Sequence, residues 1–592
     1  MRIFHTIIYL LFATALAAVP AHRSWHVYRQ ADGTSLELML IGDEHFHYYI
    51  TRDNVPVVDD DNAFYYAKVE SGILKPTSLL VHEQSRRTIG ERLTANVMKA
   101  AVGQTKLQSI NRPHRLPQPS NREYIGRKKG LIILANFENV KFEGYSEQTA
   151  DSIRQRFDDI VNLPGYTNEW GAIGSVHDYY YDQSNGLFDL EFDVIGPVNL
   201  SKEASFYGRN QSGFDINAGH MVVECCEAVD SLVNFADYDW DDDGTVEEVF
   251  ILYAGRGESS GGGTSTIWPH MWTLVEAHEE NEEIPEQIIL DDRIVNVYAC
   301  SNEIYKSGIP MGIGVICHEF SHCLGLPDLY DTNTGSNCGM KEWSVLDHGA
   351  YCGPNNIGWV PAGFTSYERN FAGWLDYTPL ESDTIIEQMI PINEPEAEAY
   401  IIINDSTPTE YYLLENRNKT RWDSYIPGTG MLIMHVDFDQ ELWDENYVNA
   451  TGFDIGNDHP RLTIFHADNS EYSRYDAYPY MDNDSLTDNS TPEALLYNQN
   501  VDGEYLMHKP VTNIVRDKTT ATISFQFQNL VVWPTPEAIV EEMMLRLNYG
   551  CRGFYRLNGT RIGTSDDVYN PTPEVLIYRD EYGKATKRVI KR

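Results

Sequence analysis

The 592-residue chain is poor in cysteine, in basic residues and in long apolar runs, and each shortage removes a class of function. Eight cysteines are too few for a disulfide scaffold, and no two stand in the C-x-x-C spacing of a zinc ribbon or redox pair. Five of them lie from Cys300 to Cys352. An oxidising compartment would permit bridges there, in a pairing the sequence does not give; most are read as small buried residues. Lys and Arg number 45 against 88 Asp and Glu, a formal net charge of −43. Such a field repels nucleic acid and anionic membrane, so neither is an expected partner. It suits an extracellular protein that binds hard cations, and equally a protein that is merely well solvated. No apolar run reaches the roughly 20 residues that span a bilayer. There is no fixed-period repeat, and the Gly/Ser-rich stretch Gly255–Gly263 lacks the Lys-Ser/Thr of a phosphate loop.

What is present begins with an address. Met1 and Arg2 precede a largely apolar run, Ile3 to Leu16, and Ala15-Leu16-Ala17 supplies small residues for cleavage. This pattern predicts a signal peptide over 1–17 and a secreted or surface protein. Residues 22–80 alternate apolar and aromatic runs (36–41, 46–50, 64–69) with turn signals, which predicts a small strand meander. The polar, Pro-containing stretch from Val81 to Arg122 reads as a linker or an exposed helix followed by one. Together 18–123 look like a pro-domain and linker. From 124 to 377, buried strands at 131–134 and 249–253 alternate with helical spacing at 146–160 and 219–233. That alternation predicts an α/β or α+β catalytic domain. Strand candidates at 400–403, 411–414, 431–436 and 462–465 predict a β-sandwich over 378–532. A helix at about Glu537 to Leu547 and a short terminal β module would complete 533–592.

Residues 317–331 carry the chemistry: Cys-His-Glu-Phe-Ser-His-Cys-Leu-Gly-Leu-Pro-Asp-Leu-Tyr-Asp. His318 and His322, four apart on a helix, project from one face at a separation one zinc ion bridges. Glu319 stands beside the first, placed to act as general base. Gly325 ends the helix and Pro327 forbids its resumption. Asp328 then falls six residues after His322, where long motifs of this type place a third ligand. Three protein ligands leave one tetrahedral position for water, so the expected chemistry is zinc-dependent hydrolysis of peptide bonds.

With this block the sequence resembles the immune inhibitor A family of secreted metallopeptidases, which is related to metzincins. Lys129 to Phe137, Tyr253-Ala254-Gly255, Ile267 to His270 and Tyr298 to Glu303 are similar too. The resemblance implies a zymogen inhibited by its own pro-domain and active on extracellular proteins or peptides. It departs from the family in Trp343-Ser344-Val345-Leu346-Asp347-His348-Gly349. Leu346 stands where metzincins carry a methionine beneath the metal, a volume-conserving swap. His348 stands where a transition-state tyrosine is expected, and is read as a hydrogen-bond donor, an additional metal ligand or a surface residue. A carboxylate such as Asp43 or Asp53 is a candidate for pro-domain latency.

A second metal site is expected in the loop 237–247. Asp239, Asp241 and Asp243 fit positions 1, 3 and 5 of a calcium loop, Thr245 position 7 and Glu247 position 9. Phe250 at position 12 excludes an EF-hand. His270 reads as a cleft residue or a structural one, and His435 as a satisfied core residue. The C-terminal module is similar to sorting domains of type IX secretion cargo. Against the peptidase stands the alternative of a catalytically silent metal-binding surface protein that holds protein or glycan through its β-domains; a zinc amidase would share the metal chemistry.

Overall fold

The computed structural model describes residues 19–104 and 124–528, apart from short loop positions (44–46, 61–62, 71–72, 212–213, 307, 334–338, 453–454, 472), and four strands between 553 and 590. The expected leader, the stretch 105–123 and the expected helix near 537–547 lie outside the described residues. Residues up to 528 form one compact unit and 529–592 a second.

Six antiparallel strands from Trp25 to Leu80 form the N-terminal meander in sequence order. Alternation sets its inner face: Leu36, Leu38 and Leu40 point into a core with Val57, Phe64 and Tyr66. The polar stretch that follows contains a helix, Ile89–Gln104, whose Ala95 packs on that core. Trp268, from the following region, belongs to the same cluster.

The next sheet has the order His270–Thr273, Val297–Asn302, Val249–Tyr253, Gly126–Asn136, Phe188–Asn199. Its strands run parallel except the edge strand His270–Thr273, which is antiparallel to its neighbour. Helices cover both faces, so Val249–Tyr253 and Val297–Asn302 are buried at every position. Ala150–Asn162, Val176–Gln183 and Gly314–Cys323 contribute to one core, and Ala218–Val229 and Leu274–Glu280 to the other. These helices and strands answer the sequence expectations, with helix ends shifted by a few residues.

Beyond 376, a five-stranded sheet (Tyr377–Pro379, Ala399–Ile403, Glu410–Arg417, Gly430–Asp437, Leu462–Ile464) faces a three-stranded one (Thr384–Met389, Ile523–Phe527, Val511–Arg516). Ile402, Leu414, Ile433 and Phe525 fill the space between them. The opposite face of the larger sheet also carries apolar side chains: Leu413, Leu432, Met434 and Val436 share a core with Phe320 and Trp343. The strand Gly430–Asp437 is therefore buried at all its positions. The sequence expectation there is a sandwich over 378–532; the two sheets share a core, and the packing of the larger one runs without a break into the region before 377. In the C-terminal unit, Arg561–Gly563, Gly553–Tyr555, Glu574–Arg579 and Ala585–Ile590 make an antiparallel sheet in that order.

Candidate metal centre

The helix Gly314–Cys323 is buried along its whole length. It can start where it does because Gly314 has no side chain: a Cβ there would lie 1.8 Å from the Ala350 carbonyl oxygen. It ends at Gly325, whose φ of +81° turns the chain back and whose N–H donates to His322 O at 2.8 Å. The reversal brings Asp328 under the two histidines.

The histidine tautomers follow from their partners. His318 Nδ1 lies 2.7 Å from Val345 O and His322 Nδ1 2.7 Å from Leu326 O. A carbonyl only accepts, so each Nδ1 carries the proton and each Nε2 presents a lone pair. Asp328 Oδ1 sits 3.1 Å from His318 Nε2 and 3.5 Å from His322 Nε2. All three atoms are buried and none makes a hydrogen bond of acceptable geometry. Buried polar atoms are otherwise nearly always paired, so convergent lone pairs of this kind fit a cation with nitrogen and oxygen ligands, as zinc requires. Glu319 gathers with the two histidines, also buried.

The turn Trp343–Gly349 supplies the floor. Its Val345 carbonyl holds His318, and Leu346 is fully buried with its carbonyl accepting from Leu329 N at 2.9 Å. Leu346 belongs to the same buried core as Phe320 and Trp343. His348 lies on the wall of a cavity of about 570 Å³ with Pro20, His22, Arg23, Asp347 and Tyr351. Burial, then the nearby Arg23 charge, pushes its imidazole well below the usual histidine value, so it is neutral at ordinary pH.

Two groups at the centre escape a reading of the sequence. Asn446, which is 118 residues from Asp328, bonds it twice. The segment after the expected leader also enters the site. Val19 N donates to Glu319 Oε1 at 3.0 Å, and the Val19 side chain is buried against Met311, Val315 and Tyr351. Trp268 Nε1 donates to Val19 O at 3.0 Å and Tyr351 OH to Pro20 O at 2.8 Å. His22 is flanked by the Tyr305 and Tyr351 rings, at 5.0 and 4.8 Å. Asp53 is not the group at the metal: Arg87 and Lys99 clamp it at 2.8 and 3.0 Å. Asp43 takes His47 Nδ1–H on its carbonyl at 2.9 Å.

In the acidic loop, Asp239, Asp241 and Glu247 bring ligand atoms within 4.8 Å of one another. Asp243 Oδ1 instead accepts from Thr245 N at 2.8 Å. Arg293 Nε lies 2.6 Å from Asp239 Oδ2, so a guanidinium already supplies positive charge there. His270 is a structural residue, buried with its ring nitrogens at 2.6 Å from Trp268 O and 3.2 Å from Tyr298 OH. His435 pairs with Glu410 at 2.9 Å between Phe465 and Tyr497, as a satisfied core residue should. Among the described residues the cysteines at 225, 226, 300, 317 and 352 are buried free thiols, and Cys323 is buried too.

The sequence profile of the immune inhibitor A peptidase M6 catalytic domain matches residues 128–374. The pre-pro-metalloprotease PrtV of Vibrio cholerae serotype O1 is 29% identical over 317 residues, 47% of this chain and 33% of that relative. Immune inhibitor A of Bacillus thuringiensis subsp. alesti is 23% identical over 282 residues, 42% of this chain and 40% of its own length. The matches thus span well under half of either relative. No helix among the described residues is long and apolar enough to cross a membrane. The helix that carries His318, Glu319 and His322 lies inside the stretch 128–374 that is similar to the catalytic domain of the immune inhibitor A peptidase M6 family.

Proposed function

We propose that the chain is a secreted zinc-dependent endopeptidase, made as a zymogen and acting on extracellular proteins. The observation that carries this reading is the convergence of two Nε2 lone pairs and one buried carboxylate oxygen beside Glu319. When bound, zinc supplies Lewis acidity that acidifies water and polarises a carbonyl at neutral pH. His318, His322 and Asp328 would hold it, with tautomers fixed by Val345 and Leu326. Glu319 takes the proton of the attacking water and passes it to the leaving nitrogen. Val19 N–H on Glu319 Oε1 blocks that role in the intact chain, which supports an inhibitory pro-domain. Loss of the N-terminal segment returns this oxygen to substrate. Casein hydrolysis, measured on the full chain before and after limited proteolysis, tests the reading. Cleavage after proteolysis, abolished by a zinc chelator and by Glu319→Ala, is the expected result. No cleavage by folded, zinc-loaded, processed protein would turn the balance to the silent surface protein.

Calcium in the acidic loop belongs to the same reading, with Asp239, Asp241 and Glu247 as its carboxylates and Asp243 and Thr245 shaping the turn. Arg293 would have to release Asp239. Calcium addition should raise the Tm of the full chain and leave that of Asp241→Asn unmoved; equal shifts in both would remove calcium from this loop.

A further inference from the structure

The third metal ligand stands on a stretch that has no helix or strand of its own. Residues 326–329 are irregular, so nothing in their own backbone pattern fixes where the Asp328 carboxylate points. Two bonds from one distant side chain do. Asn446 Oδ1 accepts from Asp328 N at 2.7 Å, and Asn446 Nδ2 donates to Asp328 Oδ2 at 2.7 Å. The carboxamide reads the backbone and the side chain of the same residue at once. It occupies Oδ2 and leaves Oδ1 to face His318 and His322.

Asn446 is itself held for this task. It is 2% exposed and has a φ of +54°, a left-handed conformation that Asn adopts more readily than most residues. Its carbonyl accepts from Thr332 Oγ1 at 2.9 Å. Three residues on, Asn449 Nδ2 donates to Leu329 O at 2.8 Å, while its Oδ1 accepts from Leu462 N at 3.0 Å on the sheet strand Leu462–Ile464. Asn333 Nδ2 donates to Thr451 O at 3.1 Å. Residues 446–451 thus form a cradle for 328–333, rooted in the five-stranded sheet.

We propose that Asn446 is a positioning residue for the metal centre, so that the site is completed by a segment outside the stretch 128–374 that matches the catalytic-domain family. The inference rests on the zinc reading of His318, His322 and Asp328. A carboxylate held by a neutral amide keeps its charge and its direction, and partners of metal ligands at this remove typically affect metal affinity by about 10–100-fold.

The test uses the full chain and zinc itself. Zinc affinity is measured by competition with a chromophoric chelator, and the cobalt(II)-substituted protein reports ligand geometry through its visible spectrum. Asn446→Gly keeps the left-handed backbone without strain and removes only the carboxamide. It should weaken zinc binding by about 10–100-fold and alter the cobalt spectrum, with the metal-free Tm little changed. Asn446→Asp is the second variant: it keeps an acceptor for Asp328 N but sets a carboxylate against Oδ2, and should bind zinc more weakly still. Affinity within twofold of wild type in either folded variant overturns the proposal. A wild-type chain that takes up no zinc sinks the metal reading and this inference with it, whereas a zinc-binding wild type beside an unaffected variant sinks this inference alone.

Discussion

At the scale of single residues, the centre depends on which atom of each side chain is already engaged. Two backbone carbonyls take the Nδ1 protons of His318 and His322, which leaves the ligand atoms bare. His348 differs, because nothing in the sequence decides among donor, ligand and bystander. Its place on the wall beside Asp347 and Tyr351, neutral and only partly exposed, supports the proposal that it donates a hydrogen bond to substrate in that cavity. His348→Phe should lower kcat by about 10–100-fold with little change in KM, as expected when a donor acts on charge that develops in the transition state. Steady-state kinetics on the processed enzyme decide it; an unchanged kcat makes His348 a bystander. The methionine-to-leucine change at 346 needs no special account, since Leu346 is fully buried and its backbone keeps the turn in place.

At the scale of elements, the strand Glu410–Arg417 joins the β-rich layers to the catalytic core through a buried charge network. Arg417 donates to Asp423 Oδ1 and Oδ2 at 2.6 and 2.9 Å, to Glu415 at 3.0 Å, and to the carbonyls of Trp343 and Gly363 at 3.2 and 3.1 Å. All of its donors that point inward are met, and the two carboxylates hold the guanidinium above its usual range despite burial. Arg417→Met leaves Asp423 and Glu415 as uncompensated buried charges, at a cost of about 3–5 kcal/mol. A lower Tm and denaturant midpoint are expected, with zinc stoichiometry intact in the fraction that folds. A Tm within a degree of wild type would mean that the carboxylates find other partners. Periodicity exposed these strands in the sequence; the network was hidden, because charged residues within a strand ordinarily mark a solvated face.

At the scale of the whole molecule, the N-terminal meander meets the catalytic region through titratable groups. His47 stacks on Trp268 at 4.9 Å and lies 3.4 Å from Glu258, a carboxylate that also takes Asn210 Nδ2 at 3.0 Å. Asp215 is buried nearby and accepts from Trp268 N, and Asp59 accepts from Thr264 Oγ1 at 3.3 Å with Asp60 and Glu258 adding like charge. Burial lowers His47 but Glu258 outweighs it, so its net shift is upward; burial raises Asp59 from 3.8 to about 6. Both groups bind protons more tightly in the docked state. Their contribution is therefore present in full below pH 4 for Asp59 and below the usual histidine value for His47, and is lost as pH rises through about 6 and beyond. Amide exchange at 47–59 and 258–268 should be slower at pH 5 than at pH 8, after correction for intrinsic rates. Faster opening at pH 5 would reverse the sign and the argument.

The sequence by itself determined the candidate chemistry. The histidine pair at His318 and His322, Glu319 beside it, the helix stop at Gly325 and the position of Asp328 are all local, set by helical spacing and backbone sterics within a dozen residues. It also determined most strands and helices, because burial writes a period into the chain. Tertiary structure alone decided what surrounds that chemistry: the Asn446 clamp 118 residues away, the Val19 N–H on Glu319 across 300 residues, and the Arg293 guanidinium in the acidic loop. Such contacts form between side chains with no fixed offset in sequence. They carry no periodicity, and only the closed fold brings them within a hydrogen bond's reach.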